Sequence, residues 1–66
     1  MTFAENLKRL RKELGLSQPE LSRQTKIPLD TLKNWEYERK IPAEYIQDMV
    51  IEKLKNMVAK KVLKNL

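Results

Sequence analysis

The chain has 66 residues, no Cys, no His and a net charge of +5. One small domain fits that length, and it buries only about 60% of its unfolded surface, so it gains from a partner. Without Cys or His there is no disulfide framework, no ordinary zinc site and no His general base. The carboxylates are not clustered at useful spacings either, so no catalytic residue, metal, cofactor or small-molecule ligand is expected, and the chain does not read as an enzyme. Lack of Cys is the usage of a reducing cytoplasm. Met1-Thr2-Phe3-Ala4-Glu5 is not a basic segment leading into an apolar run, so no signal peptide is expected. Nothing approaches 18 consecutive apolar residues, which leaves no membrane span.

The positive charge is spread along the chain. Residues 1–42 carry nine basic and six acidic groups, and residues 43–66 carry five and three. A mild excess of this kind suits a polyanion such as DNA, and it equally suits ordinary lysine-driven solubility.

Thr2 and Glu5 form the S/T-x-x-E of a capping box and open a first helix that should run to Leu14. Phe3, Leu7, Leu10 and Leu14 fall at i, i+4, i+7 and i+11, one apolar stripe. Lys8, Arg9 and Lys12 form a solvated face. Gly15, the only glycine, stands where a helix C-cap wants positive φ.

Leu16 to Glu36 then reads as two short helices joined by a tight turn. Ser17 and Glu20 make a second capping box, Leu21 faces inward, and Ser22 is small enough to let another helix cross closely. The break falls at Thr25-Lys26-Ile27, with Ile27 plugging the gap. Pro28 suits the first position of the next helix, where its missing N–H costs nothing. Leu32 and Trp35 form the inner face at i and i+3. A Trp at that spacing is expected to fill the core between the first, third and last helices rather than to stack on a base. Leu29, Asp30, Lys33 and Asn34 are left pointing outward.

After Pro42 there is no Gly or Pro, so residues 43–66 can form one helix of about 36 Å. Its apolar residues divide into two sectors. Ala43, Ile46, Met49, Val50, Leu54 and Met57 should close the core over Leu7, Leu10 and Trp35. Ile51, Val58, Ala59, Val62 and Leu66 form a second stripe with nothing left in the chain to cover it, the mark of an interface. A second copy related by a two-fold axis is the simplest cover, with Ile51, Val58, Val62 and Leu66 at the dimer interface. A stripe folded back over its own domain is the alternative. A membrane-surface helix would want Trp or Phe anchors, which are absent.

The run R-K-E-L-G-L-S-Q-x-E-L-S, then I-P-x-x-T-L-x-x-W-E, then R-K-x-P resembles the Cro/repressor-type (XRE-like) helix-turn-helix family over roughly residues 5–50. The resemblance implies an all-α fold of about four helices, the last one long. Pro42 and the uncovered stripe divide the chain into a helix-turn-helix DNA-binding core at 1–42 and a closing, dimerising helix at 43–66. The resemblance implies that Leu29, Asp30, Lys33 and Asn34 face base edges in the major groove. Lys33 suits guanine, Asn34 adenine, Leu29 a thymine methyl and Asp30 cytosine N4, although helix-dipole favour alone accounts for Asp30. Gln18 would contact a phosphate or anchor the reading helix. The loop Tyr37-Glu38-Arg39-Lys40 would lie along the phosphate backbone, with Arg39 and Lys40 as the phosphate contacts. Arg11 would pair with Glu36 and tie the first helix to the third.

Two positions depart from the family pattern. Lys26 stands in the turn and Glu38 in the loop where glycine is usual. The function so implied is a sequence-specific double-stranded-DNA-binding regulator, a homodimeric repressor on a near-palindromic operator, bacterial or phage-encoded and working at the nucleoid. The competing reading is an antitoxin-like or adaptor module whose carboxyl helix grips a different protein.

Overall fold

The computed structural model describes residues 2–64. Four helices follow one another, α1 (Phe3–Leu14), α2 (Gln18–Thr25), α3 (Leu29–Glu36) and α4 (Glu44–Lys64), with no strand among the described residues.

Local chemistry sets the first two helix starts. Thr2 and Ser17 accept from the backbone N–H of Glu5 and Glu20, and each Glu accepts in return from the cap backbone, at 3.0 to 3.2 Å. Backbone N–H bonds from Thr2 and Ser17, helped by their hydroxyls, hold the Glu5 and Glu20 carboxyls below their ordinary 4.5. A lowered folded-state pKa means that each box contributes fully above 4.5 and loosens as pH falls through the folded value. Gly15 ends α1 at φ 70°, and its N–H closes onto the last turn.

Pro28 differs from expectation by one position. It is the N-cap of α3, at ψ 140°, and its carbonyl accepts the first helical bond from Leu32. The extended ψ lets the chain leave the turn before helical geometry begins, which a residue already inside the helix does not allow.

The core is Leu7 and Leu10 of α1, Leu21 of α2, Leu32 of α3, and Val50 and Leu54 of α4. α4 packs mainly on α1, while α3 packs on both α1 and α2. Phe3 meets Trp35 edge to face, with ring centroids 5.6 Å apart at 71°. Trp35 is half-buried against the core, as its spacing with Leu32 requires. Late in α4, Lys61 Nζ donates to the Glu13 carbonyl at 2.9 Å and so caps the end of α1.

The two-sector division of α4 is corrected by this packing. Leu54 lies at the centre of one wide buried face, flanked by Val50 on one side and by Ile51 and Val58 on the other. Ile51 and Val58 are therefore half-buried against the domain's own core rather than left on an uncovered stripe. Met49, expected inward, is 66% exposed, because a face centred on Leu54 turns it to the far edge. Ala43 is exposed as well. Val62 stays 56% exposed, and Leu66 lies outside the described residues.

Candidate nucleic-acid interface

The turn between α2 and α3 is held by side chains. Ser22 Oγ donates to the Ile27 carbonyl at 2.6 Å. Thr25 Oγ1 donates to the Leu21 carbonyl at 2.7 Å and accepts from the Ile27 N–H at 3.3 Å. Lys26 caps α2 at φ 66°, the left-handed conformation where the family usually has glycine. Glu38, just past α3, also has positive φ, at 58°. Both strained junctions flank the same helix.

A side chain in that left-handed well costs about 1 kcal/mol relative to Gly. Lys26→Gly and Glu38→Gly should therefore each raise unfolding stability by about 1 kcal/mol in urea melts. The second should also tighten DNA binding at low salt, because it removes a carboxylate beside Arg39 and Lys40. A loss of stability in both variants would contradict the presence of strain.

The inner side of α3 is locked in place. Arg11 Nε and one terminal nitrogen donate to the two Glu36 oxygens at 2.8 and 2.9 Å, a bidentate pair. The other terminal nitrogen donates to the Leu16 carbonyl at 3.0 Å. Glu36 is only 2% exposed, yet both its oxygens are satisfied. Gln18 Nε2 donates to the same carboxylate at 3.2 Å. Thus the start of α2, the end of α1 and the end of α3 meet on one buried carboxylate. This is the anchoring role implied for Gln18. The amide keeps a second N–H, which is the only way it can also serve a phosphate.

The outer side of α3 is free. Among the described residues, the side chains of Asp30, Lys33 and Asn34 make no hydrogen bond or ion pair within the chain. Asp30 is exposed, Lys33 and Asn34 are partly exposed, and Leu29 is half-buried at the leading edge of the helix. The cap residue Pro28 offers no side-chain bond to the first α3 N–H groups, and Asp30 sits in that first turn.

Beyond α3 the chain turns sharply. The Asn34 carbonyl accepts from Arg39 N–H at 2.9 Å and Lys40 N–H at 3.3 Å, which directs both exposed cations to the end of the reading helix. Arg39 stacks on Tyr37, its guanidinium carbon 5.2 Å from the ring centroid. Tyr37, the first residue of the loop expected along the phosphate backbone, is 53% exposed. Its position three and four residues after Asn34 and Lys33 sets it beside the reading face, a placement that the spacing could have given. Lys26, Lys33, Arg39 and Lys40 stand against Asp30 and Glu38, four cations to two carboxylates around one helix. That is an arrangement for a phosphate-bearing groove, with an uncommitted polar face for base edges.

The dimer residues expected on α4 lie apart from this surface. Ile51 and Val58 pack on the core, and Val62 is exposed farther along the same helix. No helix among the described residues is long and apolar enough to cross a membrane. No curated protein and no solved structure matches the chain significantly. A helix-turn-helix family model matches residues 7–50, which takes in α1 from Leu7, both helices of the turn, the loop and the start of α4. The chain belongs to the XRE-type helix-turn-helix family, whose members are DNA-binding transcriptional regulators.

Proposed function

We propose that the chain is a homodimeric repressor that reads a near-palindromic operator in double-stranded DNA. Residues 1–42 carry the reading surface, and residues 43–66 close the core and join two copies. The observation that supports this most is the division of α3 into two sides. Its inner side is fixed by Arg11, Gln18, Glu36 and Trp35, while Asp30, Lys33 and Asn34 present donors and acceptors with no partner among the described residues. A rigid helix with an unsatisfied polar face suits the major groove.

Two copies of α3 would enter successive major grooves roughly 34 Å apart. Lys33 donates to guanine, Asn34 pairs with adenine N6 and N7, and Leu29 touches a thymine methyl. Arg39, Lys40 and the free N–H of Gln18 hold phosphates and set the register. The dimer would repress by occluding its operator, at the nucleoid of a bacterial or phage-infected cell.

The test is a salt-titrated comparison of a site selected from a random DNA library with unselected DNA. The wild type should prefer the selected site. Lys33→Ala and Asn34→Ala should each lower that preference by about 1–3 kcal/mol. Lys40→Ala should weaken both DNAs alike and flatten the salt dependence. If no site beats random DNA, the regulator reading fails and a protein-interaction role for the carboxyl helix takes its place.

A further inference from the structure

α4 carries a line of side chains along one edge of its core-facing side, where Ile51 and Val58 are only half-buried against the core. Glu44, Asp48, Ile51, Lys55, Val58 and Val62 follow one another in alternate steps of four and three, the spacing of a two-helix seam. Along this line the acids come first, Ile51 stands in the middle, and Lys55 and the valines follow. Asp48 and Lys55 are exposed, and among the described residues neither forms an ion pair within the chain. Beside them runs a groove of about 410 Å³ between the start of α1 and α4, lined by Phe3, Asn6, Asp48, Ile51, Glu52 and Lys55 among others.

We infer that this groove receives α4 of a second copy, antiparallel, with the two-fold axis passing at Ile51 and each Asp48 paired with Lys55 of the other copy. The inference rests on the homodimer reading and specifies its geometry. Asp48 lies three residues before Ile51 and Lys55 four residues after it. At 1.5 Å per residue these are about 4.5 and 6 Å along the helix, so the opposite charges meet at nearly the same height when one helix is reversed. A two-fold interface makes every contact twice, so one such match yields two ion pairs flanking an Ile51–Ile51 centre.

The charges also reject the competing arrangements. A parallel pair sets Asp48 against Asp48 and Lys55 against Lys55. An antiparallel pair centred at Lys55 brings the two lysines together. Of the antiparallel registers centred on a residue of this line, the one at Ile51 joins acid to base on both sides, and it leaves the exposed Val62 to extend the seam toward the amino-terminal end of the partner helix.

Sedimentation velocity on the full chain at micromolar concentration tests this, with circular dichroism to confirm that each variant is folded. The wild type should be a dimer. Asp48→Lys alone and Lys55→Asp alone should each raise the dimer dissociation constant about tenfold or more, since two attractions become two repulsions. An equimolar mixture of those two variants should dimerise, because the mixed pair places two lysines on one helix opposite two aspartates on the other. The double variant D48K/K55D should dimerise by itself. A wild-type dimer whose single variants remain dimeric, or whose mixture fails to pair, overturns this geometry and leaves the homodimer standing. A monomeric wild type overturns both.

Discussion

Replacing Arg11 with Met should lower unfolding stability by about 3–5 kcal/mol. The side chain is held at three places, by both Glu36 oxygens and by the Leu16 carbonyl. Its removal leaves a carboxylate that is 2% exposed with only the Gln18 amide for company, and a buried charge without its counter-charge is among the most costly defects a core can carry. A single core below about 70–80 residues rarely supplies more than about 3–5 kcal/mol in total. The variant should therefore lose most of its helical circular dichroism at temperatures where the wild type is folded. Arg11→Lys keeps the charge but not the two-pronged fit, and should fall between the two. Arg11→Met combined with Glu36→Leu removes the orphaned carboxylate and should recover much of the loss. If Arg11→Met melts within a few degrees of the wild type, the pair is not the anchor of α3.

Leu54→Ala should be the most damaging single truncation in α4, at about 2–5 kcal/mol. The residue is 1% exposed and lies at the centre of the face that covers α1. α4 packs on little besides α1, so a cavity there has few neighbours to collapse into it. Met49→Ala, one turn earlier, should change stability by no more than about 0.5 kcal/mol, because that side chain points to solvent. Urea melts of the two variants side by side separate a lid centred on Leu54 from one divided into two stripes. Equal losses would restore the two-sector reading of the helix.

What could be read from the residues was what depends on near neighbours. Thr2 with Glu5 and Ser17 with Glu20 close at i and i+3, so their boxes are visible before any tertiary contact exists. Gly15 is similarly local. The inward turn of Leu32 follows from helical period. The facing of α4 did not follow, because a long helix with apolar residues around much of its circumference can dock by more than one side. The choice belongs to the stripe of α1 that meets it, with Leu7 and Leu10 seating Val50 and Leu54. Gln18 illustrates the same limit at the site. Its bond to Glu36 spans 18 residues, and no spacing rule distinguishes that amide from one aimed at solvent. Tyr37 was legible as part of the loop along the phosphates, but its place beside the reading face was hidden for the opposite reason. It ends the helix and starts the loop, so the reading face continues past the point where periodicity is normally counted.

Lys26 and Glu38 have a consequence besides strain. Glycine at those two junctions would give α3 a loose joint at either end, free to wander over left- and right-handed backbone alike. A residue with a β-carbon held at φ 66° or 58° has a narrow well and few alternatives. The reading helix is then stiff at both mounts before it meets a groove, and little backbone freedom remains to be frozen when it docks. At Lys26, stability surrendered by the isolated protein returns as a smaller entropic penalty on association, whereas at Glu38 the carboxylate's repulsion of phosphate outweighs that gain at low salt.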